Sequence, residues 1–136
     1  MQKALLFALC ILTYVTVSAQ TLYINGSSVG EIETDGDIYI GGSNVGEIEE
    51  DGDVYVGGSR KGEIESDGDI YMDGSRVGEV ESDGDVYKNG SRIGEVESDG
   101  DIYYNGSHIG ECSGINPQWV AAVVFFFFAD DLPYDK

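Results

Sequence analysis

The sequence lacks the materials from which most small enzymes and metal centres are built. Its 136 residues include one histidine, two cysteines, two prolines and seven basic residues, against 26 acidic ones. A lone histidine without a cysteine pair cannot assemble a zinc site or a Cys–His nucleophile within one chain. The formal net charge of −19 repels nucleic acid and anionic membrane surfaces, so neither is an expected partner. Cations and basic partners are compatible with it. Long apolar runs are also missing: Ala4 to Val17 and Trp119 to Ala129 both fall short of the roughly 18 to 20 residues that a spanning helix needs.

What is present begins with a leader. Met1-Gln2-Lys3 supplies a positive charge, an apolar stretch follows, and Val17-Ser18-Ala19 supplies small exit residues. This order predicts a cleavable signal peptide over residues 1–19, cut between Ala19 and Gln20, and hence a secreted or periplasmic protein. A retained membrane anchor is the competing reading, and the short apolar run weighs against it. Leu9 before Cys10, where a small residue is expected, weighs against a lipoprotein. Without residues 1–19, Cys112 is the only cysteine left and no intramolecular disulfide can form. Cys112 takes the place held in earlier repeats by Ile32, Ile48, Ile64, Val80 and Val96, which predicts a small buried hydrophobe rather than a reactive thiol.

Six tandem units of 16 residues start at Thr21, Asp37, Asp53, Asp69, Asp85 and Asp101, the last shortened, with no insertion between them. Each unit predicts two short strands joined by glycine-centred turns, which makes residues 20–114 one mainly β repeat domain. The Asp-Gly pairs at 35/36, 51/52, 67/68, 83/84 and 99/100 are strong hairpin signals, read as two-residue type I′ loops. The second turn holds Asn25-Gly26, Gly41-Gly42, Gly57-Gly58, Asp73-Gly74, Asn89-Gly90 or Asn105-Gly106, each followed by a turn-forming serine.

A two-residue loop at Asp35-Gly36 sets Ile32 opposite Tyr39 and Glu33 opposite Ile38. The tyrosines Tyr23, Tyr39, Tyr55, Tyr71, Tyr87 and Tyr103 then share a face with Ile32 and its copies, while Leu22, Ile38 and their copies share the other with Glu31 and Glu33. With four residues in the second turn, Tyr23 covers Gly30, which would account for a glycine inside each strand. The residue after each tyrosine is Ile24, Ile40, Val56, Met72, Lys88 or Tyr104, a set that predicts partial exposure. The residue before it is always Leu, Ile or Val and is assigned to the core.

Residues 115–136 change character but belong to the same domain. Asn116-Pro117 predicts a helix start, with Asn as cap and Pro at the first helical position. Every residue from Trp119 to Ala129 is apolar, so a helix here must be buried on all sides. The expected place is against the repeats, as plug or cap; a buried strand is the alternative.

The repeated GEIESDGDIY and NGSxxGE motifs, the leader, and Trp119-Val120-Ala121-Ala122 running into Phe125 to Phe128 resemble the bacterial β-flower proteins, in particular the five-fold type. The resemblance covers essentially the whole mature chain. It implies hairpin petals around a pseudo-symmetric axis, a β-flower or repeat sheet with a short apolar C-terminal helix packed on it. The motif brings no functional residues with it. The chain departs from the pattern in having six units rather than five.

The sharpest chemical expectation is calcium. Each junction, such as Glu65-Ser66-Asp67-Gly68-Asp69, gathers carboxylates around a glycine turn, and hard cations are held by several oxygens. The candidate ligands are Asp35, Asp37, Asp51, Asp53, Asp67, Asp69, Asp83, Asp85, Asp99 and Asp101. Turn geometry and solubility explain the same residues without an ion. Glu31 and Glu33 could stand at the carboxylate spacing of a glycosidase, but near-identical units give near-identical environments where acid and base need different ones. His108 falls at an exposed turn position shared with Ser28, Asn44, Arg60, Arg76 and Arg92. The expected protein is therefore a non-catalytic, exported structural or interaction module with no cofactor and a protein or glycan partner. A small-ligand or calcium-binding protein is the alternative.

Overall fold

A computed structural model describes residues 16–136, so most of the expected signal peptide, with Lys3 and Cys10, lies outside the described residues. The chain forms twelve antiparallel strands in six hairpins: β1 Ala19–Ile24 with β2 Ser27–Glu33, β3 Asp37–Ile40 with β4 Ser43–Ile48, β5 Asp53–Val56 with β6 Ser59–Ile64, β7 Asp69–Met72 with β8 Ser75–Val80, β9 Asp85–Lys88 with β10 Ser91–Val96, and β11 Asp101–Tyr104 with β12 Ser107–Glu111. Every strand pairs with its sequence neighbour, and β1 pairs with β12 to close a barrel within one chain. At the seam Tyr23 faces Glu111, and the Asn25 N–H donates to the Ile109 carbonyl at 2.8 Å.

The two glycine turns are different structures. At the second turn Asn25 and Gly26 have φ of 51° and 79°, the pair of positive values that a type I′ loop requires. At the Asp-Gly turn only the glycine is left-handed, with φ of 97° at Gly52. There the Gly52 N–H donates to Glu49 O (2.9 Å) and the Glu49 N–H to Asp53 O (2.8 Å), which defines a three-residue loop. The Asp51 carboxylate accepts from the Asp53 N–H at 3.0 Å and fixes the turn from its side chain.

The extra loop residue moves the register by one and overturns the expected faces. Ile32 faces Ile38, and Glu31 faces Tyr39. Within each hairpin a β-bulge adds a second shift: Tyr23 faces Ser28 but Leu22 faces Gly30, leaving Val29 as the extra residue. Its carbonyl accepts from the Gly41 N–H of the next hairpin at 3.1 Å. Leu22, Ile32, Ile38 and their copies consequently all point inward and are buried, while tyrosines and glutamates point outward. Tyrosine does not cover the strand glycine. The residues after the tyrosines are half-buried at the rim or exposed, except Ile24, which is fully buried.

Eight strands already make a barrel just wide enough for its own side chains to fill, and diameter grows with strand number. Twelve leave room for a further element, and the C-terminal segment takes it. Helix α1, Pro117–Ala122, begins as expected, with the Asn116 side chain accepting from the Gln118 N–H. It continues as a wider π-helical turn, Val123–Phe127, and a 3-10 turn, Ala129–Asp131. Residues 120–129 are all buried. Phe128, Phe126 and Phe125 reach Gly46, Gly78 and Gly94 on different sides of the ring, so the segment lies along the axis.

Its direction is fixed at both ends. Gln118 Nε2 donates to Val80 O at the Asp-Gly end (3.0 Å), and Asn25 Nδ2 donates to Pro133 O at the other (2.8 Å). Tyr134 turns back so that its hydroxyl donates to Val124 O at 2.6 Å, satisfying a carbonyl of the widened turn. Each strand glycine leaves room for the tyrosine carbonyl of the neighbouring hairpin, and at Gly46, Gly78 and Gly94 a Cβ would also meet a plug ring, 2.7 Å from Phe126 at Gly78.

Phe125 is 2% exposed, so Phe125→Ala should cost about 3 to 5 kcal/mol in urea unfolding. Asp131→Ala, at an exposed position of the same segment, should stay within about 0.5 kcal/mol. Equal small effects would mean that the barrel stands without its plug.

Candidate functional site

With the lumen filled, the polar chemistry of the described residues lies on the outer wall and at the Asp-Gly end. The three-residue loop folds each glutamate back toward the aspartates that follow it. Glu33–Asp35–Asp37, Glu49–Asp51–Asp53, Glu65–Asp67–Asp69, Glu81–Asp83–Asp85 and Glu97–Asp99–Asp101 each place three carboxylate oxygens within 4.8 Å of one another. All ten aspartates singled out from the sequence thus fall in such triads, and each triad also takes in the glutamate. Desolvation, with the nearby carboxylates adding to it, holds Glu33, Glu49, Glu65, Glu81 and Glu97 above the usual glutamate range.

The triads are not equivalent, because a basic side chain reaches the second aspartate in most of them. Arg60 Nη2 donates to Asp53 and Glu63 (3.0 and 3.1 Å), Arg76 to Asp69 and Glu79 (2.8 and 3.0 Å), and Arg92 to Asp85 and Glu95 (both 2.8 Å). These bonds hold Asp69 and Asp85 below the usual carboxylate range. His108 Nε2 lies 3.3 Å from Asp101 Oδ1, with its ring edge-on to Tyr103 at 5.3 Å between centroids. It is an exposed turn neighbour as expected, though with a partner. Sequence reasoning missed the arginine bridges. Their signal was the constant seven-residue spacing of 53/60, 69/76, 85/92 and 101/108.

Between hairpins the wall is grooved. One groove is lined by Ser28, Glu31, Glu33, Tyr39 and Gly42, another by Asn44, Glu47, Glu49, Tyr55 and Gly58, and a third by Arg92, Glu95, Glu97, Tyr103 and Gly106. Glu31 and Glu33 do line one groove, but its copies repeat the same residue types. Cys112 is fully buried in the core position expected for it, and burial pushes its thiol up to about 12, so it is no nucleophile.

The two sets of carboxylates give pH effects of opposite sign. For the five glutamates the folded state binds protons more tightly than the unfolded one, so their ionisation costs stability as pH rises above 4.5. For Asp69 and Asp85 the folded pKa is depressed, so their contribution is present above 3.8 and is lost as pH falls through the folded value. The thermal midpoint should rise as pH falls from neutrality toward 4.5 and fall again below 3.8. Glu65→Gln should raise the neutral-pH midpoint; a midpoint highest at pH 7 and unmoved by this substitution would contradict the assignment.

No family model, curated protein or solved structure matches the chain, so its function is read from the wall and the filled lumen.

Proposed function

We propose that this chain is a non-catalytic structural or interaction module that is exported to the cell envelope or beyond and works through its outer wall. The observation that carries the reading is the plug. Val120 to Phe128 occupy the barrel axis with every residue buried, and a repeated pattern of tyrosine, glutamate and aspartate faces outward. A rigid repeated wall suits a protein or glycan partner, as repeat surfaces generally do. The acidity disfavours nucleic acid. Against catalysis stands repetition: two glutamates, a tyrosine and a glycine line each groove alike, so no groove is set apart from its copies. Export rests on the leader, and kinship with the β-flower proteins rests on the resemblance of the repeat and tail motifs.

One observation favours the second reading, calcium. The five triads offer three carboxylates each, about half of the six to eight oxygens that calcium takes, with water left to supply the rest. Such sites would be weak. Glu33–Asp35–Asp37 is the best of them, because Asn44 stands where later hairpins have a base competing for the aspartate.

A photo-crosslinking residue in place of Tyr55, in a groove of the outer wall, should give a discrete adduct in the exporting cell, while the same residue in place of Asp131, at the end of the plug, should give none. Equal labelling from both would contradict a wall-specific partner. In chelator and then in millimolar calcium or magnesium, the thermal midpoint should respond equally to the two ions, as charge screening requires. A calcium-selective rise that Asp35→Asn removes would favour the second reading, since a ligand at one hundred times its dissociation constant adds about 2.7 kcal/mol.

A further inference from the structure

We propose that the hairpin β3–β4 carries an open guanidinium socket that takes an arginine side chain from a partner protein; this rests on the outer-wall reading and names the partner's chemistry. The molecule contains its own template. In the three central hairpins an aspartate and a glutamate directly opposed across the ladder, Asp53 and Glu63, Asp69 and Glu79, Asp85 and Glu95, are bridged by one arginine Nη2 at 2.8 to 3.1 Å. Beside each bridge the arginine's own ladder partner is a tyrosine.

The hairpin β3–β4 repeats every part of this except the cation. Asp37 is opposed to Glu47, and Tyr39 to Asn44, in the same register. Its turn is the same as that of the neighbour β5–β6, with φ of 59° and 81° at Gly41 and Gly42 against 59° and 84° at Gly57 and Gly58. The groove lined by Asn44, Glu47, Glu49 and Tyr55 corresponds to the one lined by Arg92, Glu95, Glu97 and Tyr103 three hairpins on. Directly opposed like charges are destabilising, and the sister hairpins show which group relieves them. The other two hairpins do not offer the same opening: β1–β2 has Thr21 in place of the aspartate, and β11–β12 fills the place with His108.

The surroundings favour a cation. Residues 16–59 contain nine acidic residues and no basic one, so this side of the wall has a field of one sign. Arginine fits better than lysine because its fork can bond carboxylates on two strands at once. Among the described residues, a second copy of the chain offers no arginine that is not already paired. Arg60, Arg76 and Arg92 are held in their own hairpins, Lys61 pairs with Asp73, Lys88 lies over the Phe126 ring, and Lys136 donates to the Leu132 and Tyr134 carbonyls.

The test is an amide chemical-shift titration of the full chain, in chelator, with hexa-arginine and with hexa-lysine as control. Shifts from hexa-arginine should concentrate on Asp37, Tyr39, Asn44 and Glu47, with affinity about five-fold or more above that for hexa-lysine. Asn44→Arg, which installs the arrangement of the sister hairpins, should abolish the response without lowering the thermal midpoint. Arg76→Asn should create a second response at Asp69, Tyr71 and Glu79. Shifts spread evenly round the barrel, an unchanged response in Asn44→Arg, or no new site in Arg76→Asn would overturn the socket. So would concentration-dependent shifts at these residues without peptide, which would assign the surface to a second copy. If these outcomes fail while the Tyr55 position, in the groove with Asn44 and Glu47, still crosslinks, the socket alone is wrong; if that position gives no adduct, the outer-wall reading falls with it.

Discussion

Closing twelve strands into one ring creates a lumen that strand side chains cannot fill, and the rest of the structure follows from how that space is occupied. The element that fills it must be apolar on every side, which is why the segment from Trp119 to Ala129 carries no polar residue and needs no length to span a membrane. Its aromatic rings reach the wall at strand glycines such as Gly46 and Gly78, which also leave room for the tyrosine carbonyl of the neighbouring hairpin. With the interior committed to packing, charge is confined to the outside. Hydrogen bonds from Gln118 and Asn25 tie the two ends of the plug to opposite rims.

Much of this was legible in the sequence. The repeat gave strand number and hairpin connectivity, the aliphatic residue before each tyrosine gave part of the core, and the all-apolar run gave a buried helix. The faces were not legible, because Asx-Gly specifies different turns according to its flanks. Asp73-Gly74 is a two-residue loop with both residues left-handed, whereas Asp67-Gly68 closes a three-residue loop in which only the glycine is. The two aspartates use their side chains differently: the Asp67 carboxylate accepts from the Asp69 backbone N–H, whereas the Asp73 carboxylate pairs with Lys61. One added residue in a loop turns the following strand over, so one misread turn set Glu31 and Glu33, rather than Ile32, beside Ile38 on the expected core face. The bulge at Val29 leaves no compositional mark. Closure of β1 on β12 joins residues nearly a whole chain apart, which no local pattern encodes.

The candidate site shows the same division. Glutamate and aspartate spacing placed the triads correctly because they are made within a single loop. The arginine bridges depend on opposition across the hairpin, hence on a register that was wrong by one. Because each hairpin's backbone is fixed by its turns and by the plug, the exposed position occupied by Ser28, Asn44, Arg60, Arg76, Arg92 and His108 can vary without disturbing the barrel. That separation gives a repetitive fold a wall with two unlike sides, one with its carboxylates bridged by arginine and one without.

The central claim is that plug and barrel are one cooperative unit, and amide hydrogen exchange across the full chain tests it most directly. Residues buried in a shared core should open only with global unfolding. The amides of Val120 to Phe128 should therefore exchange with the same free energy as those of the central strands β5 to β10. Rapid exchange of the plug while those strands stay protected would contradict the account, because the ring would then hold its shape without the segment that fills it.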